Sequence, residues 1–169
     1  MRHQKIQNMT RSALLAAAMA VCAWISVPVP PVAFTLQTFG VCLTLGLLGW
    51  KWGSVTIALY LALGAVGLPV FSGFRGGAGV LLGPTGGFLW GFMLAGPVYG
   101  LARRGGLLPG LVAAVAVSYL CGCLWYPVYA PGTGLSQTFF LCAAPYLPFE
   151  LPKIALAWYL VRRVGKHIP

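Results

Sequence analysis

Long apolar blocks dominate the chain, with short polar, aromatic or Gly/Pro-rich breaks between them. A spanning helix needs about 20 apolar residues, with a workable range of about 17 to 25. Residues 11–27 (RSALLAAAMAVCAWISV) meet the lower limit, and PVPP at 28–31 stops the block because proline lacks an N–H and clashes with the preceding turn. Blocks 33–50 and 52–68 follow, parted by Trp50, Lys51 and Trp52, an aromatic and basic trio of the kind that anchors helix ends at an interface. A fourth block covers 85–102 and stops at Arg103, Arg104, Gly105 and Gly106; the fifth covers 107–126 and the sixth 146–164. The pattern predicts an all-α integral membrane protein with six transmembrane helices in one domain spanning 1–169. Within block 33–50 the strongest apolar core, 39–50, is short enough for a half-helix or a re-entrant segment.

Between the third and fourth blocks the pattern fails. Residues 67–92 read GLPVFSGFRGGAGVLLGPTGGFLWGF, with nine glycines, two prolines and one arginine. Ordering so many glycines costs backbone entropy, and their free N–H and C=O groups cannot face lipid. The segment, with its loop at 69–84, is expected to form a wall or gate over a cavity at one membrane surface. The alternative is an ordinary mobile loop.

Composition agrees with the blocks: 59% of residues are hydrophobic and 7% charged, against about 25% charged in an average soluble domain. Eleven Lys and Arg against one acidic residue give a net charge of +10. The cations stand singly or in pairs between apolar blocks and form no basic stripe, so they suit lipid headgroups and orientation better than nucleic acid. Placing the N-terminus inside puts Arg2, Lys5, Arg11, Lys51, Arg103, Arg104, Arg162, Arg163 and Lys166 on the cytoplasmic face, leaving Arg75 outside and Lys153 within the last helix. The predicted topology is therefore N-in, C-in, with tight inner connections and long outer ones at 28–37, 69–84 and 127–145.

Few residue sets could carry chemistry. The five cysteines, Cys22, Cys42, Cys121, Cys123 and Cys142, lie in or beside apolar blocks and read as small buried hydrophobes; His3 and His167 sit in the tails, and no metal site is expected. No GxxxxGK[ST] is present, no His lies within a span to serve a nucleophile, and one carboxylate cannot make an aspartyl pair, so enzyme classes and cofactors drop out. Glu150 and Lys153 remain. Ionisable groups within a span cost about 2.5–3.5 kcal/mol each and mostly face a cavity or a partner, and their i, i+3 spacing sets them on one helix face near the outer end. Pro152 between them loosens the turn; a simple interfacial charge pair is the alternative.

Three further features bear on a ligand or a partner. Thr85 in GPTGGF is placed to cap the fourth helix, whose N–H groups, with Arg75 and Lys153, favour an anionic tail on a mostly apolar ligand. Trp24, Trp90, Trp125, Tyr126, Tyr129 and Tyr146 offer flat walls for a ring or an interfacial belt. Ala13, Ala16, Ala17 and Ala20, spaced i, i+3, i+4, i+7, form a stripe of small side chains suited to close helix approach, either inside the bundle or against a second membrane protein.

With FTLQTF at 34–39, LYLALGAVGLPVFSG at 59–73 and LLGPTGGFLWGF at 81–92 in view, the chain resembles the BioY family, the biotin-binding S-components of energy-coupling-factor transporters, from about residue 10 to 164. The resemblance implies a six-helix S-component bundle in a bacterial cell membrane that binds biotin from outside and works with a transmembrane coupling subunit and two ATPases. It also implies that the alanine stripe docks on the coupling subunit and that Glu150 and Lys153 match the family's acidic-x-x-Lys pattern. There the acidic residue is usually Asp preceded by Gly, where this chain has Phe149-Glu150 and adds Pro152. Glu150 is then expected to accept from ureido N–H or orient Lys153, and Lys153 to meet an acceptor or the carboxylate, with Arg75 and the Thr85 helix end as competing carboxylate sites. The other expectations are an S-component for another vitamin or a membrane scaffold without a ligand.

Overall fold

The computed structural model describes residues 2–30 and 32–167. Pro31, last of the PVPP residues, lies outside the description, as do the side chains of Arg2, His3 and His167.

Helix α1 runs Arg2–Trp24, beginning well before the apolar block that predicts it. The polar residues ahead of the block include good helix formers and no Gly or Pro, so nothing stops the helix from extending back. Its end falls short of the predicted Val27 because the chain there pairs with itself. Strands β1 (Ser26–Val27) and β2 (Phe34–Thr35) form an antiparallel hairpin with Ser26 opposite Thr35, closed by Leu36 N–H donating to Ile25 C=O at 3.1 Å. The prolines between the strands favour extended backbone, so both the end of the first predicted helix and the start of the second, at 33, become strand.

Helix α2 runs Gln37–Ala65, but Gly49 within it has φ 71° and ψ 178°. A side chain there would be strained, and the break folds the element back on itself. Gly53 sits against Leu45, with a Cβ on Gly53 only 3.2 Å from Leu45 Cα, whereas a continuous helix separates positions eight apart by about 12 Å. The two limbs, 37–48 and 50–65, correspond to the predicted blocks 33–50 and 52–68.

The later helices fall close to their blocks: α4 is Gly86–Ala102, α5 is Leu107–Tyr129 and α7 is Leu147–Val164. Two elements lie where the pattern predicts only outer loop, namely α3 (Ala78–Leu81) and α6 (Leu135–Cys142). Both are too short to carry a readable helical period.

Helix α4 packs chiefly on α5, α1 on α2, and α2 also on α4 and α7. The α4–α5 seam is close because Gly91 faces Ser118, where a Cβ would lie 2.6 Å from Ser118 Cα. The core holds Met19, Leu45, Ile57, Tyr60, Leu111 and Ala157, while Leu14, Val55, Leu94, Val112, Leu120 and Leu156 point outward. An apolar exterior around an apolar core is the arrangement that lipid favours. The hydroxyls of Thr56 and Ser118 bond to the preceding turn, at Trp52 C=O and Ala114 C=O, so these two need no water. Among the described residues, α5 and, over the combined length of its two limbs, α2 are long and apolar enough to cross a membrane, and α6 with α7, bent by 56°, makes a third candidate.

Candidate functional site

The hairpin, both ends of the glycine segment, α5, α6 and the first turn of α7 meet around one cavity. It encloses about 610 Å³ of space between atoms, including its open mouth. The wall is formed by Phe34, Thr35, Gln37 and Thr38, by Phe71, Ser72 and Val80, by Thr85, Phe88, Leu89 and Phe92, and by Tyr119, Cys142, Tyr146 and Glu150. Apolar and aromatic side chains share the wall with hydroxyls, an amide and one carboxylate, a mixture that suits a small molecule with both apolar and polar parts.

Glu150 and Lys153 lie one turn apart on α7, 3% and 7% exposed, with Lys153 Nζ 2.7 Å from Glu150 Oε1. Tyr119 OH donates to the same oxygen at 3.0 Å. Glu150 Oε2 is enclosed and has no partner among the described residues. An enclosed acceptor without a donor costs about 1–3 kcal/mol, more when charged, so it calls for an outside donor.

Lys153 is placed differently from the sequence expectation. Its ammonium donates to Glu150, to Thr35 C=O at 2.7 Å and, more loosely, to Thr38 Oγ1 at 3.4 Å, and lies 4.2 Å from the centre of the Phe34 ring. Three donors meet three acceptors, and the side chain does not line the cavity. Lys153 stands behind Glu150, fixing the carboxylate and pinning β2 to α7. Phe34 also stacks on Tyr146, and Tyr146 OH donates to Val32 C=O at 2.6 Å, so the hairpin is tied to α7 at several points.

The other two candidates separate. Arg75 is exposed, its Nε donates to Ser72 C=O within its own loop at 3.1 Å, and it does not line the cavity. Thr85 lines the cavity at the N-cap position of α4, but its hydroxyl makes no capping bond; its C=O accepts from Phe88 N–H instead. Among the described residues, the cavity wall therefore carries no Lys or Arg.

The tryptophans expected as ring walls have another task. Trp24, Trp90 and Trp125 donate their indole N–H to Pro69, Leu81 and Gly83 C=O at 2.7, 3.1 and 2.9 Å. Trp24 also stacks on Phe74, whose φ of 56° is rare for a bulky residue. With Tyr60 OH on Val70 C=O at 2.8 Å and Gly77 N–H on Gly64 C=O at 2.7 Å, these bonds satisfy part of the backbone of the glycine segment. Of the six aromatic candidates only Tyr146 lines the cavity.

The alanine stripe is divided. Ala16 and Ala20 are buried inside the bundle, while Ala13 and Ala17 are exposed.

Tyr119, Gln37, Thr35 and Thr38 are polar members of the site that block length does not single out. The signal available for three of them was the polar cluster within FTLQTF, set in an otherwise apolar stretch; Tyr119 had none, being one aromatic among many.

The BioY family model matches residues 1–169. Among the most similar curated proteins, the biotin transporter BioY of Thermotoga maritima is 37% identical over 166 residues, covering 95% of this chain and 97% of that protein. A probable biotin transporter BioY of Pyrococcus horikoshii is 36% identical over 160 residues, with the same coverage of each. A crystal structure at 2.1 Å of the S-component for biotin from an ECF-type ABC transporter superposes with a TM-score of 0.90 at 27% identity, covering 98% of this chain and 94% of that one. With the family model spanning the whole sequence and the fold shared throughout, the chain belongs to the BioY family.

Proposed function

We propose that this chain is the substrate-capture subunit of an energy-coupling-factor biotin transporter, binding biotin in the cavity at the outer ends of α4, α5 and α7. The observation that carries this reading is the buried Glu150 carboxylate, with Oε1 held by Lys153 and Tyr119 and Oε2 lacking a donor, in a chain of the BioY family. Biotin's ureido ring has two N–H donors, its fused ring and thioether are apolar, and its valerate ends in a carboxylate. Glu150 Oε2 takes a ureido N–H, Phe34, Phe88, Phe92 and Tyr146 flank the rings, and the α4 N-terminus at Thr85 receives the carboxylate. Arg75 meets that carboxylate only when its loop swings inward.

In this reading the chain is one transmembrane domain of six crossings in a bacterial plasma membrane, N-in and C-in. The glycine segment opens to admit biotin and closes over it. The exposed Ala13 and Ala17 edge of α1 docks on a membrane coupling subunit, and two ATPases supply the energy for release.

A binding panel tests the reading. The melting temperature of the purified chain in detergent is measured with biotin, riboflavin, thiamine and lipoate in turn. Biotin alone is expected to raise it, since a ligand at 100 times its Kd adds about 2.7 kcal/mol. A shift with another vitamin only, or with none, refutes the assignment.

A further inference from the structure

Gln37 begins α2, lines the cavity and is 6% exposed. Hydrogen-bond chemistry fixes which end of its carboxamide faces where. Tyr60 has one phenolic proton, and its oxygen lies 2.8 Å from Val70 C=O, a group that only accepts; that proton is committed. The same phenol oxygen lies 2.7 Å from Gln37 Nε2 and can therefore only accept there. The NH₂ of Gln37 must turn toward Tyr60, and Oε1 must turn away. Tyr60 is fully buried and packs edge-on against Phe71 with ring centres 5.7 Å apart, so the arrangement has no room to invert.

Gln37 Oε1 has no hydrogen-bond partner among the described residues. On a buried residue that lines the cavity, the oxygen turned away from Tyr60 is the end left for a ligand. We infer that Gln37 is a second specificity-determining acceptor, receiving one N–H of a cyclic urea ligand, with Tyr60 as the positioning residue that locks it in the accepting sense. This rests on the biotin reading above and adds to it a residue and a rule of selection. A ligand that presents a ring oxygen at this point sets acceptor against acceptor and is rejected.

The lock also depends on the glycine segment, because Val70 belongs to it. When Val70 moves away, the Tyr60 proton is released and the carboxamide is free to turn. Selection for an N–H is therefore in force only while the segment is closed.

The test uses the purified full chain in detergent with biotin and two cyclic carbamate analogues, each replacing one ureido N–H by a ring oxygen, with Kd measured by titration calorimetry. Gln37→Met is expected to weaken biotin about 10-fold, the scale of one neutral hydrogen bond, while binding one of the analogues at least as well as the wild type does. Tyr60→Phe frees the carboxamide to turn its NH₂ inward, so it is expected to weaken biotin and to bind that same analogue more tightly than the wild type, a reversal that simple loss of packing does not produce. Unchanged biotin affinity in Gln37→Met, or equal weakening of biotin and both analogues in both variants, overturns the assignment of Gln37 alone. A wild type that ignores biotin overturns the biotin reading and the inference with it.

Discussion

Removing one member of the Glu150–Lys153 pair is expected to do more harm than removing both. At 2.7 Å, and at an effective dielectric of ~20, the two charges attract by about 6 kcal/mol. Much of this offsets the cost of holding them at 3% and 7% exposure, so the pair itself adds little net stability. Breaking it is another matter, because the survivor keeps its desolvation cost without its partner, a loss of about 3–5 kcal/mol. Lys153→Met leaves Glu150 with Tyr119 alone and falls in that range. Glu150→Gln keeps a neutral acceptor for Lys153, beside Thr35 C=O, and is expected to lose about 2–3 kcal/mol. The double variant removes both charges and is expected to lie within about 1 kcal/mol of wild type. The measurement is thermal melting of the four proteins without ligand in one detergent. At about 2–4 °C per kcal/mol, the Lys153→Met single should melt about 10 °C low and the double should recover most of that. A double variant whose loss equals the sum of the two singles would show that the charges are not coupled, and the site geometry would be wrong. Biotin binding gives the independent half of the test: the double variant is expected to be stable and unable to bind.

Two other substitutions separate functions that lie close together in the sequence. Ala16→Trp is expected to prevent folding because Ala16 is buried at 5% exposure, whereas Ala17→Trp, on the exposed edge, should leave biotin binding intact and abolish coupled uptake in reconstituted vesicles; loss of binding in Ala17→Trp would return that edge to the bundle interior. Trp125→Phe removes the indole donor to Gly83 C=O and is expected to cost about 1 kcal/mol locally, seen as faster amide exchange across 76–84 with little change elsewhere; unchanged exchange there would mean that the indole does not hold the segment.

Much of the helical layout was legible in the sequence because bilayer insertion is decided segment by segment. An apolar block of spanning length stays apolar wherever its neighbours sit, and α4, α5 and α7 begin and end within a few residues of their blocks. The aromatic and basic trio at 50–52 likewise marked the turn that Gly49 makes. The end of α1, the β1–β2 hairpin and α6 were not legible, because pairing of two-residue strands and an eight-residue helix leave no period to read.

For the candidate site, the sequence by itself singled out Glu150 and Lys153 as an ionisable pair, since the energetic cost of a charge within a span is a property of that residue and its segment. Tertiary structure decided everything about what they meet. Lys153 is held by Thr35, 118 positions away, behind the cavity wall, and Glu150 is shared with Tyr119, 31 positions away. The same holds for Arg75, which is as charged as Lys153 but exposed outside the cavity, and for the alanines, identical in chemistry yet split by which face of α1 meets α2. Hydropathy is a sum along one segment and survives without a fold. Hydrogen-bond partners, burial and the direction in which Gln37 presents its oxygen are relations between segments, and they exist only once the helices have packed.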